Sequence, residues 1–417
     1  MLFRSLGFKG MITCSNWVTA NPEVLGPLEK YSYTPGDFID RHGYFSCFEK
    51  GESAEWSVRE GHTYADRSAL RFDPEEPGKP KLFVNSIMDP HYQNKPSMIS
   101  ETTFTRPNRF RSEAPLYYAA YGALQGSDAI VHFALDSATW AVKPGYFMQP
   151  WTLMSPAMAG QFPAAALLYR KGLVSEGEVL AEVHLKIGDI LALKGTPLIQ
   201  DAALDELRLK DVPTGNEIKP GNVIDPLIHF AGQTRVDFSV AGGTSKIGDL
   251  SRLVDRKAQT ITSSHKQLKL DYGAGTLVIN APGAQGISGN LKKLGKVELA
   301  DLSVSSEMDL GHMIAVSLDG KPLATSTKIL LQVMSEEKNS GFATEPAENG
   351  LKRIVSLGQD PWSVKSLTGS VGFKRGDAKS LKVTALDLSG YPASVIEGGA
   401  TMIRLRPTTL YYLIEKP

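Results

Sequence analysis

Cysteine is scarce: Cys14 and Cys47 are the only two in 417 residues. Two thiols cannot build a disulfide framework or a cysteine-rich zinc site. Net charge is absent as well, with 45 Lys and Arg against 45 Asp and Glu. A chain that grips phosphate backbones carries a basic excess, so a general nucleic-acid role is excluded. No run reaches the roughly 18 apolar residues of a membrane-spanning helix. The richest stretch, Met154–Tyr169, is interrupted by Pro156, Gln161 and Pro163. The opening MLFRSLGFKG has neither a long apolar core nor a small-residue cleavage site, so it does not read as a signal peptide. The eight histidines show no metal-ligand spacing, and no metal or other cofactor is expected. No internal repeat of fixed period is visible.

What is present is an ordinary globular composition, 42% hydrophobic and 22% charged. The length suggests two or three domains. The first part alternates short apolar runs with helical stretches. Phe8–Cys14 (FKGMITC) reads as a buried strand, preceded by helical spacing at Leu2, Phe3 and Leu6 that Gly7 would end. Asp37–Gly43, Lys95–Glu101 and Ser127–Leu135 read as further strands; Glu113–Leu124 and Pro156–Lys171 read as helices. This alternation implies right-handed βαβ units and a parallel sheet.

From about Glu178 the texture changes. Glu178–Leu185 is strand-like, Asp201–Leu207 a short helix, and Pro213–Asn222 a loop rich in Gly, Pro and Asn. Runs of alternating or β-branched residues follow: Gln267–Tyr272, Thr276–Asn280, Lys296–Ser305, Met313–Leu318, Lys328–Met334, Lys352–Leu357, Lys382–Leu388 and Thr409–Ile414. Many short strands divided by turn residues suggest a β-sandwich or barrel. Gly283–Gly289 reads as a tight β loop, not a phosphate cradle. The division is therefore residues 1–175 and residues 176–417, with an irregular link near 200–225.

The first part holds about four strand–helix units, where a closed eight-fold barrel needs about 250 residues. Its helical pattern runs into a strand pattern with no capped start. We read it as the second half of a (β/α)8 barrel, with the first half upstream of Met1, followed by a β-sandwich; a small open α/β layer is the alternative.

Three segments at predicted strand ends carry chemistry, where α/β folds place their sites. Ser15-Asn16-Trp17 offers an amide beside an indole, as a sugar site uses, or else a turn with a packed ring. In Arg41-His42-Gly43-Tyr44, the period of a strand sends His42 and Tyr44 to one side, where both can reach a carboxylate. Glu101 ends an apolar strand, a costly place for an acid unless it is functional or ion-paired, for instance to Arg109 or Arg111.

Taken in order, His42-Gly43-Tyr44 and then Glu101 resemble the retaining glycoside hydrolases of the large (β/α)8-barrel clan of cellulases, mannanases and β-galactosidase-like enzymes. Glu101–Gln125 followed by Asp128–Leu135 resembles the seventh-to-eighth strand segment of bacterial members. The resemblance implies Glu101 as nucleophile on the seventh strand, with Tyr44 and His42 ending the sixth. Tyr44 would donate to Glu101, and His42 would hold Tyr44 or a sugar hydroxyl. Asn16 and Trp17 would line the cleft, and Trp140, or less closely Trp151, would form the aromatic platform after the eighth strand. It also implies an oligo- or polysaccharide substrate, an extracellular or periplasmic location, and an accessory sandwich. Neither nucleic acid nor membrane is an expected partner.

This sequence departs from the clan in one respect. The acid/base glutamate, usually after Asn, ends the fourth strand there. Asn216-Glu217 here lies in the later loop, so the acid is expected upstream of Met1 and the chain alone is expected to be inactive. The nearest local carboxylates have other readings: Glu113 begins a helix, and Asp89 before Pro90 forms a turn. His132 and Asp136 could point into the site from the last barrel strand, although such residues more often pair structurally. Ser155 and Ser175 lack a nucleophile-elbow context. The competing readings are a non-catalytic carbohydrate-binding protein and a purely structural α/β–β protein.

Overall fold

The structure is a computed structural model that describes residues 2–16, 25–47, 49–54, 56–72, 86–135, 148–194 and 224–417. It is a mixed fold, with few helices and many strands in several sheets.

The expected parallel sheet is present in the first part. Ile39–His42, Ser97–Thr102 and Ala129–His132 pair in parallel, with Ser97–Thr102 in the centre. The intervening helix, Ala114–Gln125, has Pro115 in its first turn and closes at Gly126, whose φ of 66° suits glycine. All of its residues are buried, as the unbroken apolar sequence APLYYAAYGALQ requires. Gly122 lets the helix lie close to the sheet: a Cβ there would come within 2.5 Å of Ile130 Cδ1. The expected helix Pro156–Lys171 is instead two, Pro156–Ala159 and Phe162–Arg170. Pro163 explains the break, because it lacks an N–H and its ring opposes the carbonyl four residues back.

Phe8–Cys14 is not a strand. The short helix Leu2–Ser5 forms and Gly7 closes it with φ 86°, but the following run is irregular. Phe8 is 50% exposed and Met11 65% exposed. Its main fixed point is Asp37, whose Oδ2 accepts from Ile12 N at 2.7 Å while its N–H donates to Ile12 O at 2.7 Å. The apolar run is real, but no strand among the described residues takes up its backbone.

Val179–Lys186 is a strand, and it pairs in parallel with Gln233–Ser239, which pairs in parallel with His91–Tyr92. Beyond it lies a ten-stranded antiparallel sheet. Its order runs Pro392–Ile396, Lys382–Leu386, Tyr411–Glu415, Lys328–Ser335, Gly311–Ser317, Ala284–Gly289, Thr276–Ala281, Leu268–Asp271, Thr260–Thr262, Val254–Asp255. A four-stranded antiparallel sheet, ordered Lys296–Glu298, Leu302–Ser305, Ser370–Phe373, Ile403–Arg404, shares its core through Val304, Val371, Met313 and Val383. Two readings change here. Ala284–Gly289 is a fully buried strand, not a loop, in a hairpin with Thr276–Ala281. The run Lys296–Ser305 is two strands around a turn that Leu299 N closes on Leu302 O. The expected helix Asp201–Leu207 and loop Pro213–Asn222 lie outside the described residues.

A buried seam joins the two parts. Arg111 is 1% exposed in its side chain and pairs with Glu337, 6% exposed, at 2.7 Å. Its guanidinium also donates to Phe104 O, Ser155 Oγ and Thr152 O. Ser155 Oγ and Ala157 N complete the shell around Glu337. Such a pair is tolerable only because its hydrogen-bonding groups are engaged.

Candidate functional site

Parallel pairing sets the site. His42 stands opposite Glu101 after a one-residue slip that follows Arg41. Gly43 N donates to Glu101 O at 3.1 Å, and Phe45 N to Thr103 O at 3.0 Å, so the two chains stay joined past the strand ends. The alternation expected for His42 and Tyr44 then brings both to Glu101. Tyr44 Oη donates to Glu101 Oε2 at 2.7 Å. His42 Nδ1 lies 3.7 Å from the same oxygen, too far for a hydrogen bond but close in charge terms. Glu101 keeps a side-chain exposure of 34%.

Asn16 also reaches this place, although no strand carries it. Its Nδ2 donates to Ser100 Oγ at 3.2 Å, and its backbone O accepts from His42 N at 3.1 Å. Trp17 and Trp140 lie outside the described residues, as does Asp136.

The electrostatics assign the protons. Burial raises the Tyr44 phenol well above its ordinary value, and the adjacent Glu101 raises it further. Tyr44 therefore keeps its proton and acts as the donor. Burial also lowers His42, outweighing the pull of Glu101 and Asp40 toward the charged form. The imidazole is neutral at pH 7. Asp40, on the same strand, is raised by burial while its Oδ1 accepts from Ser100 N at 3.0 Å.

An aromatic wall flanks the acid. Tyr44 lies 6.2 Å from Phe133 and 5.9 Å from Trp151 between ring centroids. Trp151 in turn meets Trp56 edge-on at 5.3 Å, and Trp56 is 61% exposed. Backbone bonds from Ala134 N to Trp151 O and from Leu153 N to Ala134 O hold the two limbs of this wall together. Phe133 and Trp56 were missed in the sequence. The available signal for Trp56 was a lone indole in the polar loop Gly51–Ser57.

The two alternative carboxylates are occupied elsewhere. Burial would raise Asp89, but Lys30 at 2.9 Å and Arg41 at 3.0 Å outweigh it and hold the carboxyl low. Glu113 stands at the start of its helix without capping it. Its carboxyl accepts instead from Ser68 Oγ at 2.7 Å and Ala69 N at 2.8 Å. Burial pushes it up to about 8 despite those donors. The arginines considered as partners for Glu101 bind other acids: Arg109 joins Asp309 and Glu336, and Arg111 joins Glu337. His132 packs against Tyr118 and Phe162, and burial pushes it down to about 4. Among the described residues no three His, Cys, Asp or Glu side chains gather as a metal site, and no helix is long and apolar enough to cross a membrane.

Comparison with protein-family models, with curated proteins and with solved structures finds no match to this chain.

Proposed function

We propose that Glu101 is the nucleophile of a retaining β-glycoside hydrolase site. It would stand at the carboxyl ends of a partial (β/α)8 barrel, with the β-rich remainder as an accessory sandwich. The observation that carries this reading is the Tyr44–Glu101 hydrogen bond of 2.7 Å beneath a wall of Tyr44, Trp151 and Trp56. Tyr44 occupies Oε2 and orients the carboxylate, leaving Oε1 for the anomeric carbon of an oligo- or polysaccharide. That oxygen's electron pair forms the glycosyl ester as the leaving oxygen departs with the old bond's pair. Water then cleaves the ester with retained configuration. Indole and phenol rings suit the flat apolar face of a pyranose, and Asn16 and His42 suit its hydroxyls.

Retaining hydrolysis needs a second carboxyl about 5–5.5 Å from the first. Asp89 and Glu113 are both engaged elsewhere. That engagement favours one second reading, carbohydrate binding without cleavage.

The test removes the need for the acid. A 2,4-dinitrophenyl 2-deoxy-2-fluoro-β-glycoside leaves as a stabilised phenolate without protonation. Gluco, galacto and manno forms are incubated with the chain, and intact and peptide masses are read. The expected result is one glycosyl adduct on Glu101, absent in Glu101→Gln. An adduct on another carboxylate overturns the assignment. Oligosaccharide binding with no adduct from any of the three supports the non-catalytic reading.

A further inference from the structure

A second site lies on the seam. A cavity of about 530 Å³ opens there, walled by Asp66, Arg106–Arg109 and Arg111 on one side and by Glu336–Asn339 and Trp362–Lys365 on the other. Pockets between two packed parts are preferred places for ligands.

Its charge is unbalanced. Cationic side chains outnumber carboxylates on the wall by six to four among the described residues. Each of the four acids is bound: Asp66 by Lys352, Asp309 by Lys365, Glu336 by Arg109 and Glu337 by Arg111. Of the other two cations, Arg106 donates to the backbone O of Gln149, which leaves Lys338. Its ammonium lies over the Phe342 ring at 5.6 Å. Trp362 is the strand partner of Asn339, so these two share one face of the ribbon and Lys338 with Ser363 the other, and all four line the cavity. One face of the Trp362 ring carries the Arg106 guanidinium at 5.2 Å, and its indole N–H is buried with no acceptor. A buried donor without an acceptor costs stability unless something supplies one.

We propose that this cavity binds an acidic sugar. Its anionic group, a carboxylate or a sulfate, would meet the Lys338 ammonium, and its hydroxyl oxygens would meet Asn339, the Trp362 N–H and the ion pairs of the wall. Cations beside an aromatic ring, with an unpaired donor, select for a ring-shaped anion over a neutral ring. The proposal goes beyond the glycosidase reading and does not depend on it. The two sites share a segment, since Met148 lines the cavity and Trp151 packs against Tyr44.

Calorimetry on the full chain tests it with three probes: tri-galacturonate, a heparin tetrasaccharide and neutral cellotriose. The expected result is binding of an acidic probe that weakens several-fold between about 0.05 M and about 0.3 M NaCl. Lys338→Glu, an exposed change checked for folding by circular dichroism, weakens it at least about tenfold. Trp362→Phe removes the ligand-dependent change in fluorescence. Glu101→Gln leaves the affinity within about twofold, because the site lies elsewhere. Preference for the tetrasaccharide with the same response to the variants identifies sulfate as the anion; preference for the galacturonate identifies carboxylate. Equal binding of cellotriose, an unchanged affinity in Lys338→Glu, or loss of binding in Glu101→Gln each overturns the proposal.

Discussion

The strand ends and the seam use the same kind of residue in opposite ways. At the seam, Glu337 is almost wholly enclosed and its two oxygens accept from Arg111, Ser155 and Ala157. At the strand ends, Glu101 is a third exposed and is held by a single phenol. The first arrangement spends a carboxylate on joining two parts of the chain. The second keeps a carboxylate oriented and accessible, which packing alone does not call for. An acid's role is thus read from how many donors it has and how much water it sees, more than from the fact that it sits at a strand end.

The comparison can be broken from either side. The largest effect is expected from Glu101→Gln, which should lower cleavage of an activated glycoside by about 10⁴-fold or more. Its urea midpoint should barely move, and a large loss of stability would give Glu101 a seam-like role. Arg111→Ala should do the reverse, costing about 3–5 kcal/mol in urea unfolding by stranding Glu337. Tyr44→Phe should cut the adduct-forming rate by roughly 10–100-fold, since a hydrogen bond to a charged group contributes about 1.5–3 kcal/mol.

Glu113 tests a third setting, burial with donors but no cation in direct contact. Its folded value of about 8 lies above the ordinary 4.5, so the folded chain keeps a proton that the unfolded chain releases. The stability from the protonated acid is complete below about pH 4.5 and is lost as pH rises through about 8. Urea midpoints at several pH values should fall across that window, and Glu113→Gln should flatten the fall. The smallest effect belongs to Trp56→Ala, which should weaken oligosaccharide binding by several-fold at most, as expected for one exposed stacking face.

The parts that could be read in the sequence were those fixed by local period. His42 and Tyr44 reach one acid because a strand repeats every two residues, and Glu101 meets them because the parallel register places it opposite His42. The parts that could not be read depended on distant partners. Phe8–Cys14 has the composition of a strand, but a ladder of backbone bonds decides a strand, and no strand among the described residues pairs with it. Gly283–Gly289 looked like a loop because glycine weakens isolated strands. Its glycines instead permit close packing: a Cβ on Gly286 would lie 2.1 Å from Met313 O. The aromatic wall was only half visible, since Phe133, Trp151 and Trp56 come together through loop contacts that leave no periodic trace.

The order of the ten-stranded sheet governs its assembly in time. From Val254 to Gly289 the strands lie beside their neighbours in sequence, so this half can zip up as successive hairpins while the chain is still being made. The other half cannot. Tyr411–Glu415 is inserted between Lys328–Ser335 and Lys382–Leu386, two strands synthesised well before it. Until it pairs, the edges of Lys328–Ser335 and Lys382–Leu386 that it covers stay open. An open edge of this kind is where a strand of a second copy can add, so late pairing of Tyr411–Glu415 is the step at which strand exchange competes with closure.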